Sequence, residues 1–210
     1  MKSYHSIPKY GEDHFGKHIF AFDKIDGSNF RAEWDRKLSK KSRFTNGFAK
    51  FGTRGEMIKN TRNPFYEGVE IFKRKYGFAL NEIFRTHKRF QNIDKITVYG
   101  EFFGEKSFAG IHRWEEEHDV RIFDIFLYKK DYLPPAEFIR IFENLDICKP
   151  LFQGPFSEEY LNMIRKNVFG LSEGVVCKGT EDQKVFMFKI KTDAWIRKVK
   201  DMYGEKAPEY

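Results

Sequence analysis

Cysteine is scarce in this chain: only Cys148 and Cys177 occur among 210 residues. Two thiols build no disulfide framework, and neither has metal-ligand spacing. A reducing, intracellular compartment is the natural reading. No apolar run approaches the roughly 20 residues that a membrane-spanning helix needs, so no membrane partner is expected. Met1 to Tyr10 has no apolar core of the kind a secretory signal requires. Repeats, low-complexity tracts and flexible linkers are also missing. One domain over residues 1–210 is therefore expected.

What the chain does have is aromatic mass and positive charge. Hydrophobic residues make up 40%, with 24 Phe and 10 Tyr, enough for a large aromatic core. The net charge of +7 and pI near 9.2 suggest a polyanionic partner. Segments 19–24 and 29–34 read as strands hinged at Gly27. Residues 65–90 carry apolar positions at helical spacing and read as two helices broken near Gly77. Segments 96–103 and 120–128 are rich in β-branched and aromatic types and read as strands. Pro134-Pro135 opens a helix across Ala136 to Leu145, and Ser157 caps another, with Glu158 and Glu159 in its first turn. Segments 173–179 and 184–191 form a hairpin around Gly179-Thr180-Glu181-Asp182. The tail from Asp193 is helical and basic. Strands in runs, without strict βα alternation, predict an α+β fold with antiparallel sheets flanked by helices.

Several positions carry chemistry. Lys24-Ile25-Asp26-Gly27 follows the apolar run Ile19-Phe20-Ala21-Phe22 and places an amine at a strand end beside a turn. Such a lysine becomes a nucleophile once desolvation or a nearby cation strips its proton. Asp26 would hold the amine in line, and Gly27 would let the chain turn sharply against a ligand. Asn29 can donate or accept. Arg54, between Gly52 and Gly55, is either a surface loop arginine or a guanidinium aimed at a hydroxyl or phosphate. Glu101 is a carboxylate inside an apolar strand, which needs a partner: ribose hydroxyls or an internal ion pair. Phe123 sits in an alternating strand and is either core or a base-stacking ring. Glu173 precedes an apolar strand and suits a hard cation. Lys189 and Lys191 share one face of a strand, which calls for an anion between them. His112 and His118 fall in or beside the charged stretch 104–117, read as a loop with solvated histidines.

Taken in order, Lys24-Ile25-Asp26-Gly27, Tyr99-Gly100-Glu101, Ile122-Phe123-Asp124-Ile125, Glu173-Gly174-Val175-Val176-Cys177-Lys178 and Phe188-Lys189-Ile190-Lys191 resemble the motifs of the covalent nucleotidyltransferase superfamily, the ATP-dependent polynucleotide ligases and RNA capping enzymes. Five matches span about residues 19 to 192. Asn29, where DNA ligases and capping enzymes usually have arginine, makes the chain look like a bacteriophage-type RNA-repair ligase. The resemblance implies an ATP-grasp-like nucleotidyltransferase domain using ATP and Mg2+ or Mn2+. It implies that Lys24 is adenylated, with Asp26 beside it, and that Ile25 and Asn29 line the ATP site. Arg54 and Glu101 would contact the ribose and Phe123 would stack on adenine. Glu173 would serve the metal, and Lys189 and Lys191 the phosphates. The implied partner is RNA with 5′-phosphate and 3′-hydroxyl ends.

The chain departs from that pattern after Lys191, where 19 residues remain and no C-terminal OB-fold is expected. The same lysyl-nucleotide chemistry would serve a DNA nick ligase or a capping guanylyltransferase, and a non-catalytic RNA-binding relative would keep the fold alone. Neither the preferred RNA structure nor the oligomeric state is written in the sequence.

Overall fold

The structure, a computed structural model, describes residues 1–41 and 45–204. The chain divides into two compact units: one comprises residues 1–4, 27–133 and 142–147, the other residues 5–26, 134–141 and 148–210. No described helix is long and apolar enough to cross a membrane.

The first unit is built on five antiparallel strands: β2 (Ser28–Asp35), β3 (Phe48–Thr53), β4 (Met57–Ile58), β5 (Lys95–Gly104) and β6 (His118–Leu127), in the order β4-β3-β2-β5-β6. A short helix, α1 (Arg36–Lys41), follows β2. Strand alternation sends Phe30, Ala32 and Trp34 of β2, with Ile96, Val98 and Phe102 of β5, to a buried face. Helices α2 (Tyr66–Phe72) and α3 (Phe78–Thr86) supply the other half of this core. Phe72 lies within 6 Å of the rings of Phe30, Phe48 and Phe51, and Phe84 meets Trp34 edge-on at 5.5 Å.

The expected break near Gly77 is instead a single π-helical turn, Lys73–Gly77, and the helix runs on through it. The extra residue in that turn turns Lys75 and Tyr76 toward β6. Lys75 pairs with Asp119 (2.6 Å) and Asp146 (2.7 Å), and the Tyr76 hydroxyl donates to the Val120 carbonyl (2.8 Å). These bonds offset the irregular backbone, which is why glycine here does not end the helix.

The second unit carries a four-stranded antiparallel sheet of β1 (His18–Lys24), β7 (Pro150–Pro155), β8 (Gly174–Glu181) and β9 (Lys184–Lys191), ordered β7-β1-β8-β9. Ile19, Ala21, Val175, Cys177, Phe188 and Ile190 form its buried face against Tyr160, Leu161 and Ile164 of α5 (Glu158–Arg165). Ser157 caps α5 by accepting the Tyr160 amide proton at 3.1 Å, as the sequence predicts. Helix α4 (Pro135–Phe142) ends a turn earlier than expected, and α6 (Asp193–Tyr203) closes the described chain, with the last part of the predicted basic tail outside the described residues.

The β8–β9 hairpin also differs from expectation. Its turn is Asp182-Gln183, both at positive φ (47° and 65°), so Gly179 lies inside β8 and Glu181 pairs with Lys184. Strands β3, β4 and β7 were not foreseen: β3 and β7 are short and carry glycine or proline, and β4 is only two residues long.

Asn81 ties α3 to the sheet of its unit. Its buried Oδ1 accepts from Trp34 Nε1–H (3.0 Å) and Ser39 Oγ–H (2.7 Å). Asn81→Leu would leave two buried donors without an acceptor, at about 1–3 kcal/mol each. Urea unfolding should show a loss of about 2–6 kcal/mol on that basis; an unchanged midpoint would refute this role.

Candidate active site

In the second unit, period-two alternation sends Lys24, Lys189 and Lys191 to the sheet face opposite the α5 core. Glu173 stands just ahead of β8, where Gly174 pairs with both Lys24 and Lys191 in register. A side chain at Gly174 would overlap the Ile190 carbonyl, so glycine is what lets β8 and β9 close up at this end. The result is a compact charge cluster. Lys24 Nζ donates to Glu173 Oε2 at 2.5 Å, and Lys191 Nζ lies 2.8 Å from Glu173 Oε1. Glu173 is 3% exposed. One buried carboxylate therefore serves two ammonium groups, one on each oxygen.

Glu173 thus lies between Lys24 and Lys191. Lys189 keeps its place on the shared face, with its amide donating to the Pro8 carbonyl (2.9 Å). Burial lowers the Lys191 ammonium to about 8; Glu173 opposes the shift, while Lys24 and Lys189 add to it.

Asp26 is buried, and its Oδ2 accepts from Trp195 Nε1–H at 2.8 Å. Trp195 lies on α6, and its ring face carries the Lys191 ammonium 3.5 Å from the centroid. The sequence reading missed Trp195. A signal was present: Thr192 directly after Lys191 caps a helix whose third residue is Trp195, and the cap hydroxyl accepts the Trp195 amide proton (3.1 Å). Ile25 is half-buried between Lys24 and Asp26. Lys178 was quoted in its motif without a role; it is 2% exposed, 4.8 Å above the Phe22 ring.

The remaining predicted residues belong to the first unit. Asn29 and Glu101 are directly opposed on β2 and β5, on the face turned away from the helices. Asn29 Oδ1 is buried and has no hydrogen-bond partner among the described residues. Phe123 is the extra residue of a β-bulge: Tyr99 pairs with Asp124, but Gly100 pairs with Ile122. The expected alternation of this strand therefore breaks, and the bulge turns a ring out of step with its neighbours. Phe123 packs edge-on against Tyr4 (5.1 Å), whose hydroxyl donates to Asp124 at 2.6 Å. Burial, reinforced by Asp124, holds the Tyr4 phenol well above its usual range.

Arg54 is exposed in the β3–β4 turn, where its carbonyl accepts from Ser3 Oγ at 2.9 Å. A side chain at Gly27 would overlap the Phe102 carbonyl, so the close approach of β5 requires glycine here. The histidines are not simply solvated. His112 lies between Ser28 Oγ (2.8 Å) and Ser107 Oγ (3.0 Å). The His118 ring stacks on Phe102 and bonds Glu67 at 2.9 Å.

A family model described as RNA ligase matches residues 17–191. Among solved structures, the Naegleria gruberi RNA ligase with PPi matches with a TM-score of 0.63 at 20% identity, over 90% of this chain and 54% of that chain. An archaeal ATP-dependent RNA ligase (form 2) matches with 0.66 at 19% identity, over 95% and 50%. The chain spans about half the length of these proteins, and at such identity the likeness is one of fold. No match was found among curated proteins.

Glu173 is the charge that opposes the effect of burial on Lys191. Glu173→Gln should therefore let the Lys191 ammonium lose its proton at still lower pH. Side-chain lysine NMR should place the wild-type midpoint near 8 and the variant below it. A wild-type midpoint at the ordinary lysine value, unmoved by the substitution, would contradict this electrostatic account.

Proposed function

The chain belongs to the RNA ligase family, and on that premise we propose that it is an ATP-dependent RNA ligase whose nucleophile is Lys24. The observation that carries the reading is the Lys24–Glu173–Lys191 cluster. It joins a strand-end amine, a buried carboxylate and a second cation, all drawn from motifs far apart in sequence.

The chemistry runs in three displacements. Lys24 parts from Glu173, loses its proton and attacks the α-phosphorus of ATP. A P–N bond forms, the P–O bond to the β-phosphate breaks, and pyrophosphate leaves. AMP then passes to the 5′-phosphate of an RNA strand, and the P–N bond breaks. Finally a 3′-hydroxyl attacks that phosphate, AMP departs, and a phosphodiester is left. Splitting one hard displacement into covalent stages lowers each barrier.

Lys191 and Lys189 suit the β- and γ-phosphates, where fixed positive charge stabilises the leaving pyrophosphate. Burial of Lys191 strengthens that interaction, since the site is poorly screened. Asn29 and Glu101, opposed on one face, suit the ribose side of the nucleotide, and Phe123 an adenine ring. Arg54 has the weakest support of these, as an exposed turn residue. A related ligase has been solved with ATP and Mn, which supports ATP and a divalent ion here. Among the described residues no cluster of three metal-ligating side chains occurs. This fits an ion of the Mg2+ or Mn2+ kind held by one carboxylate together with phosphate oxygens. Glu173 would hold it, and its charge would neutralise the phosphates.

The net charge of +7 favours RNA as the polyanion, so binding should weaken steeply with salt. The loop between β5 and β6, with Trp114 exposed, is a surface on which RNA could lie. Buried free thiols at Cys148 and Cys177 suit a reducing, intracellular setting.

Radiolabelled ATP should give a covalent protein adduct in wild type and none in Lys24→Ala, with the variant still folded by circular dichroism. Lys191→Ala should slow adduct formation by roughly a hundredfold or more, as for other lost transition-state charges. Labelled GTP tests guanylyl transfer, and nicked RNA beside nicked DNA tests the acceptor. An adduct that persists in Lys24→Ala would show that the wrong lysine has been assigned; no adduct with any nucleotide would leave the non-catalytic reading.

A further inference from the structure

We propose that Trp195 is a positioning residue for nucleotidyl transfer, its indole joining Asp26 and Lys191 into one rigid seat. This rests on the reading of Lys24 as the nucleophile and deepens it.

Three observations build the case. The indole has two distinct recognition surfaces, and both are engaged. Its N–H donates to Asp26 Oδ2 at 2.8 Å, and its π face carries the Lys191 ammonium at 3.5 Å. Second, every participant is buried: Trp195 is 4% exposed and Asp26 8%, and the Lys191 side chain is 8% exposed. A cation against an aromatic face and a hydrogen bond to a carboxylate both gain strength when water is excluded. Third, the seat of the indole is set by the chain that bears the phosphate lysine. Thr192 follows Lys191, its hydroxyl accepts the Trp195 amide proton, and its own amide donates to the Glu173 carbonyl (3.0 Å). Lys191, Glu173 and Trp195 are thus fixed to one another through a single helix cap.

The consequence concerns the segment Lys24-Ile25-Asp26. Lys24 ends β1, and two residues later Asp26 is held by the indole. The nucleophile's segment is therefore tied at both sides: Lys24 through Glu173 and Asp26 through Trp195. Both ties converge on Lys191. A hydrophobic anchor alone would need neither the N–H nor a ring placed over an ammonium. No other natural side chain offers an aromatic face together with an indole donor at that reach.

The two functions of the ring separate by substitution. Trp195→Phe keeps a face and loses the N–H; Trp195→Leu loses both. In Trp195→Phe, ATP affinity should stay within about threefold, while single-turnover lysyl-AMP formation slows roughly tenfold to a hundredfold, the signature of misplacement and not of lost binding. Because Trp195 acts through Asp26, the double variant Asp26→Asn, Trp195→Phe should be no slower than the slower single variant. A readout independent of activity is the ring-current shift of the Lys191 side-chain methylene protons. It should be large in wild type, retained in Trp195→Phe and abolished in Trp195→Leu. A wild-type rate in Trp195→Phe, multiplicative rates in the double variant, or a Lys191 resonance indifferent to Trp195→Leu would each overturn the inference. A wild-type protein that forms no adduct would instead overturn the parent reading of Lys24.

Discussion

A buried carboxylate between two ammonium groups governs this molecule. Glu173 is expensive to bury unless it is paired, and here each of its oxygens meets a lysine. The arrangement also keeps Lys24 and Lys191 from repelling one another at close range. It is held by backbone: Gly174 lets β8 lie tight against β9, and the Thr192 amide bonds the Glu173 carbonyl. A single ion triad therefore depends on strand register and on a helix cap together. On the proposed reading, the same triad is what an incoming nucleotide would displace, since both lysines are engaged with Glu173.

Each unit solves the same problem in the same way. In each sheet one face is apolar and packed by helices, and the opposite face carries polar side chains. In the second unit that face bears Lys24, Lys189 and Lys191; in the first it bears Asn29 and Glu101. Period-two alternation is the whole cause. It sends hydrophobic residues to one face and the charged residues between them to the other, where Trp195 of α6 meets Lys191. A buried aromatic core is thus the physical condition that makes the polar faces possible.

This is why much of the site was legible in the sequence. Lys189 and Lys191 sit among apolar residues at alternate positions, so their shared face follows from spacing, and Ser157 announces its helix by capping chemistry. Other features were silent for equally physical reasons. The Phe123 bulge leaves no mark, because one inserted residue looks like ordinary alternation until the partner strand is known. The contact of Tyr4 with Asp124 joins residues 120 positions apart. His112 looked solvated because the serines on either side of it come from separate segments. Trp195 was not singled out, because only the fold sets Asp26 against its edge. Gly77 misled for a different reason: the π-helical turn tolerates it because Lys75 and Tyr76 find partners on β6.

The tight turn at Asp182-Gln183 has a wider reach than its size suggests. Two consecutive residues at positive φ fix the pairing of Glu181 with Lys184, and every later pair along the ladder inherits that choice. Were the count in the turn to change by one, Phe188 and Ile190 would rotate into solvent and the two lysines would be driven into the oily interior. The facing of Lys189 and Lys191 at one end of the ribbon is thus dictated by loop arithmetic at the other.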